Sequence, residues 1–318
     1  MAFYNLSSLS AGAPALTGVA GSLITVLDWL LVTTMGWTKP YSATNKAAYQ
    51  QPAGTNGFVL LVDDTNASYG LMRAYESMSS ITTGVNPFPN TSQLSGGTKL
   101  YRSSTSSAVA RPWRFVSNGK LFHFLFDQNG TIPSGVNAWT GTTSVFTFGD
   151  FVSYKPGDVY NTVLIGDTDN YVGSPSYCAA AQITILSSSS TPGTYVARPH
   201  TQTGLSIGAN RQVDFSLGGS YAGSTYSPAQ AFPSPVHGGI DLGRVYIGDP
   251  GVCRRGYLPG SWFWGHSVPT VTSAGVQSGD TFSGGEGTEL AGKTFEWYRI
   301  GPVNNQAAFV LETSNWGV

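Results

Sequence analysis

The sequence predicts a mainly β protein, built as β-sandwich or barrel-like modules with one amphipathic helix near the N-terminus. Three observations carry this. From about residue 56 onward, short runs rich in Val, Phe, Tyr and Thr alternate with Gly, Pro, Asn and Asp. Asn118-Gly119 and Asn129-Gly130 supply residues that tolerate positive φ, as hairpin turns require. Helical spacing of apolar residues stands out in one early segment alone.

That segment comes first. Leu23, Val26, Leu27, Leu30 and Leu31 fall on one helical face, and Gly36 follows as a stop signal. Trp29 and Trp37 add apolar area beside it, so the helix packs on the body of the protein or on a neighbouring subunit. Strands are then expected at Phe58 to Val62, Tyr69 to Tyr75, Trp113 to Phe126, Val145 to Tyr154 and Tyr160 to Ile165. Further strands are expected at Ala181 to Leu186, Val213 to Leu217, Arg244 to Ile247, Thr294 to Ile300 and Ala307 to Glu312. Lys120 to Phe126 is apolar on both sides, the pattern of a strand covered on both faces. Ser187 to Gly193 and Gly218 to Gly239 read as long loops. The chain therefore divides into a helical or extended arm (1–55), a β-rich region (56–190) and a second β-rich region (191–318) able to share sheets with the first.

Charge is scarce. Asp, Glu, Lys and Arg make up 10% of 318 residues, against 41% hydrophobic residues and 40 glycines; a globular domain ordinarily carries roughly a quarter charged residues. Much of the surface is then Ser, Thr, Asn, Gly and aromatic, which suits packing against other chains. The 16 basic residues are scattered apart from Arg254 and Arg255, and net charge is −1, so neither a nucleic-acid groove nor a polybasic membrane contact is expected. The apolar run Leu23 to Val32 is broken by Asp28 and too short to span a bilayer, and no signal peptide or membrane insertion is expected. Cys178 and Cys253 have no CxxC partner and read as reduced thiols rather than a disulfide.

Candidate chemical motifs each have a plainer explanation. Gly204-Leu205-Ser206-Ile207-Gly208 fits GxSxG, a spacing that chance supplies about 0.6 times here, and the succeeding run ANRQVDFSLGG does not read as a helix. Asp249 and His266 come later in the order a hydrolase triad needs, but no strand–helix alternation surrounds them. Asp167, Thr168, Asp169 and Asn170 gather oxygen side chains as a calcium loop does, without its Gly and distal Glu, which favours a solvated turn. Asp63-Asp64 reads as a turn rather than a catalytic pair. His123, His200, His237 and His266 lack zinc-binding spacing, and His123 reads as a core or interface residue. The Asn-x-Ser/Thr sequences at Asn5, Asn66, Asn90 and Asn129 are expected by chance in such a chain. Trp262, Phe263 and Trp264 form a dense aromatic cluster, suited to a core, a subunit contact or a sugar platform. No catalytic, cofactor-binding or metal residue is assigned, and no cofactor.

Certain longer segments carry a resemblance. LDWLLVTTMGWTKPYSATNKAAYQ (27–50), LLVDDTNASYGLMRAYESMSSITTGVNPFP (60–89), ARPWRFVSNGKLFHFLF (110–126), GDFVSYKPGDVYN (149–161), RRGYLPGSW (254–262) and the closing FVLETSNWG are similar to a family of virion structural proteins of tailed bacteriophages. The similarity runs in this order over nearly the whole chain. It implies a non-enzymatic structural part of a phage particle, assembled in the bacterial host cytoplasm. Such a part decorates the capsid or associates with the tail or baseplate, as a homo-oligomer in contact with other virion proteins. The expected contact residues are Leu23, Leu27, Trp29 and Leu30 on the helix, with Arg254, Arg255, Tyr257, Trp262, Phe263 and Trp264. The alternative is a module at the tail tip that binds a host-surface glycan or receptor through Trp262 and Trp264.

Overall fold

The computed structural model describes residues 2–103, 105–135, 137, 139–140, 143–166, 194–198, 213–215, 242–249, 253–264, 275–285, 288–300 and 307–317. The expected strand at Ala181 to Leu186, the two long loops and the boundary near residue 190 lie outside these residues. The protein is mainly β, with 50% strand and 7% helix among the described residues.

The first part of the chain forms β1 (Tyr4–Ser7), β2 (Leu16–Gly18), the helix α1 (Ser22–Leu27), β3 (Thr38–Ala43) and β4 (Lys46–Gln50). Next come β5 (Val59–Asp63), β6 (Tyr69–Tyr75), β7 (Ser77–Ser80), β8 (Thr83–Val85), β9 (Thr98–Tyr101) and β10 (Ser107–Arg111). β11 (Trp113–Ser117), β12 (Leu121–Asp127), β13 (Thr143–Asp150), β14 (Val152–Ser153) and β15 (Thr162–Ile165) continue the chain. The later strands are β16 (Thr194–Val196), β17 (Val213–Phe215), β18 (Leu242–Asp249), β19 (Cys253–Trp264), β20 (Thr281–Ser283), β21 (Thr294–Ile300) and β22 (Ala307–Glu312).

These elements stack in three layers. The front layer is the antiparallel sheet β3-β4-β5-β6-β9 together with α1. Middle and back layers belong to one 13-stranded sheet, whose main path of nine strands runs β1-β11-β12-β13-β21-β22-β19-β18-β17, with β14, β15, β16 and β20 paired off it. That sheet folds over where β13 meets β21 through the single parallel pair Thr143↔Ile300. Residues 1–55 thus supply an edge of the large sheet and two strands of the front one. Strands from 56–190 and 191–318 pair directly, β15 with β16 and β14 with β19.

Strand alternation builds the two cores. Phe122, Phe124 and Phe126 of β12, with Phe115, Phe146 and Phe148, face the front layer and meet Leu23, Val26, Leu27, Leu30, Tyr49, Leu60 and Met72. Leu121 and Leu125, with Val116, Val145 and Val163, face the back layer and meet Val245, Ile247, Leu258, Phe309, Leu311 and Trp316. Every residue of β12 and β13 is therefore buried, as the two-sided apolar run from Lys120 leads one to expect. An ion pair crosses between middle and back layers: Arg114 Nε and Nη2 reach Glu296 at 2.8 and 2.6 Å, and the Tyr298 hydroxyl donates to the same carboxylate at 2.6 Å.

The helix is shorter and wider than its spacing suggests. α1 ends at Leu27 and continues as a π-helical turn over Asp28–Thr34, where Met35 N donates to Leu30 O at 3.1 Å. Gly36 then takes φ +73° and stops it. No side chain at the helix's own N-cap closes its start. Asp64 does so from the front sheet, accepting from Leu23 N at 2.9 Å and Ile24 N at 3.4 Å. Asp64 is ion-paired with Arg102, and both side chains are 0% exposed. Arg102 also donates to Thr17 O, Val19 O and Asn66 O, binding helix, β2 and front sheet at one point.

The edges differ in character. β3 is an exposed edge of the front sheet, blunted by Lys39 and Pro40. β10 pairs with β2 alone among the described residues, and its exposed Ala108 and Val109 carry no charge. Val109 is 49% exposed and Val19, just past β2, is 46% exposed.

Candidate functional site

Alternation in the back layer sends one set of side chains inward and displays the other. On β18, Val245 and Ile247 enter the core, while Arg244 and Tyr246 point outward against Tyr257 and Arg254 of β19. Tyr246 lies directly opposite Tyr257, and Arg244 opposite Trp262. On the far side of β19, β14 pairs Val152 with Tyr257, and Tyr154 N donates to Arg255 O at 2.8 Å. Tyr154, Tyr257 and Tyr246 thereby come together across three neighbouring strands.

The face is aromatic and cationic. Rings of Tyr154 and Tyr257 are 6.3 Å apart. The Arg254 guanidinium lies 4.3 Å from the Tyr246 ring centre, and that of Arg244 lies 4.9 Å from Tyr257 and 5.3 Å from Trp262. Tyr154 is 54% exposed. Partial burial, then the neighbouring Tyr246 and Tyr257 hydroxyls, raise the Tyr154 phenol above its ordinary pKa, with Arg244 and Arg254 opposing. At one end the face closes over. Trp262 is buried with Phe295, Trp297 and Val310 under Leu242, Val276, Phe282 and Leu290, and its Nε1 donates to Glu312 at 2.8 Å. Lys293 completes that corner, 2.7 Å from Glu312.

Several expected contact residues have other work. Leu23, Leu27 and Leu30 are 0% exposed in the chain's own core, so they have no surface to offer a second subunit, which corrects the expectation. Trp29 is partly buried against the same core, edge-on to Trp113 at 6.1 Å. Arg255 is a second correction: it clamps Asp158 with two nitrogens at 3.1 Å and donates to Ala197 O and Tyr160 O. Trp262 is a third, at 4% exposure too covered to stack on a sugar. Phe263 and Trp264 belong to β19, but their side chains lie outside the described residues. Arg254 and Tyr257 do reach the outward face. Their partners Tyr154, Arg244 and Tyr246 are not among the expected contacts. Arg-x-Tyr alternation at 244–246 is a local hint, but the pairing that unites them spans distant segments.

The remaining motif residues divide in the same way. Ser206, Asp167, Asp169, Cys178, His200, His237 and His266 lie outside the described residues, as does the side chain of Cys253. His123 is a core residue, 0% exposed, with Nδ1 2.7 Å from Thr147 Oγ1 and Nε2 2.8 Å from Pro259 O. Burial pushes its pKa down to about 4. Asp63 and Asp64 serve different partners, Lys46 at 2.6 Å and Arg102. Among the described residues no group of three His, Cys, Asp or Glu could hold a metal, and no helix is long and apolar enough to cross a membrane. The chain matches no protein-family model and no curated protein.

Proposed function

We propose that the chain is a structural component of a tailed-phage virion, decorating the capsid or associated with the tail or baseplate. It acts through contacts with copies of itself and with other virion proteins. The observation that carries this reading is the charge content of 10%, read with where those charges go. Arg102, Arg114, Arg255 and Lys293 are spent inside the fold on Asp64, Glu296, Asp158 and Glu312. These four pairs draw eight of the 33 charged residues into the fold from a content that is already low, and a sparsely charged surface favours association. The β10 edge, with Val109 and Val19, is the apolar element best placed for such a contact, in place of the buried helix leucines.

Sedimentation of the purified chain, and its co-purification with phage particles, test the reading. An oligomer in solution and recovery with particles support it. A monomer at high concentration that binds no particle fraction overturns it.

A further inference from the structure

The outward face of the back layer has a chemistry of its own. Tyr154, Tyr257 and Tyr246 span three strands, a row of about 10 Å at the usual strand spacing. A guanidinium stacked on a ring keeps its N–H edge available for a planar anion. Arg244 is so placed, and among the described residues its carboxylate partner Glu289 sits 3.7 Å away with 68% exposure, a loose contact that an incoming anion displaces.

We propose that this face binds an acidic carbohydrate, with sugar rings on the tyrosines and a sugar carboxylate on Arg244. Three features favour this occupant. β19, the central strand of the face, has no free edge, because it is paired by β18 on one side and by β14 and β22 on the other. An acidic peptide would draw its affinity from such an edge or from an apolar groove. Single-stranded nucleic acid carries a phosphate at every nucleotide, which two arginines in a chain of scattered basic residues do not match. Tyrosine, by contrast, offers an apolar ring and a hydroxyl together, matching the apolar face and hydroxyl rim of a sugar.

The inference does not rest on the virion role: a chain that assembles but ignores acidic sugars keeps the first and loses the second. The test is calorimetric titration of the full chain with oligogalacturonate and with oligosialic acid, with dextran as neutral control, and with poly-Glu and oligo-dT. One of the acidic oligosaccharides is expected to bind, with dextran weaker by about tenfold or more. Arg244→Ala and Tyr257→Ala are each expected to weaken that binding by about tenfold. Tyr154→Ser, at a half-exposed ring, is expected to weaken it with an unchanged melting temperature. Absence of binding to both acidic oligosaccharides overturns the proposal, as does binding that all three variants leave intact or tighter binding of poly-Glu or oligo-dT.

Discussion

His123 shows what a single buried group does to the pH response. Its Nε2 must donate to the Pro259 carbonyl, so in the neutral ring Nδ1 accepts from Thr147. The folded state holds it at about 4, against 6.5 for a free histidine. Between those values the unfolded chain takes up a proton that the folded chain refuses. Stability from this group is therefore full above 6.5 and is lost as pH falls toward 4, by about 3 kcal/mol in all. Urea unfolding at pH 4.5 and 7.5 should show His123→Gln with a smaller acid loss than the parent; equal losses would contradict this. Gly260 makes a second case. It takes φ +75°, and a Cβ there would stand 2.1 Å from the Trp316 ring. Trp316 in turn packs on His123 at 5.3 Å and Phe3 at 5.8 Å. Gly260→Ala is expected to cost more than about 2 kcal/mol, read as a lowered melting temperature.

At the scale of elements, the helix depends on a residue outside it. Asp64 closes the start of α1 and neutralises Arg102 in a site with no water contact. Asp64→Ala should cost about 3–5 kcal/mol by leaving Arg102 buried and unpaired. Adding Arg102→Met should cost less than the sum of the single changes, which a double-mutant cycle in urea measures. Elements are legible where side chains alone fix them. β6, β21 and β22 have the expected bounds, because aromatic and apolar residues are bracketed by turn residues. The run from Trp113 to Phe126 splits at Gly119, φ +86°, where Asn118 Oδ1 accepts from Lys120 N and Leu121 N. β3 escapes a sequence reading because TKPYSA is almost wholly exposed, and backbone bonding to β4 defines it rather than apolar pattern. β19 escapes it because Gly256, Pro259 and Gly260 read as punctuation, though they lie inside one bent strand. The helix is visible from its leucines, but not its cap, since Asp64 and Leu23 are joined only by tertiary folding. The outward face is half legible for the same reason: Arg254 and Tyr257 are local, and Tyr154 arrives from another region.

At the scale of the whole molecule, the layers predict where a change is silent and where it is not. Val109→Lys places a charge on an exposed edge and is expected to leave unfolding free energy within about 0.5 kcal/mol. It should nonetheless shift the sedimentation profile toward monomer, since a charge on an edge opposes strand pairing between copies; an unchanged oligomer would remove β10 from the contact. The middle layer has the opposite property. With Phe122, Phe124 and Phe126 under one cover and Leu121 and Leu125 under the other, solvent reaches the β12 amides only when both covers lift together. Their deuterium uptake should then be the slowest in the chain and keep time with global opening, making β12 an internal clock for how long each molecule stays intact.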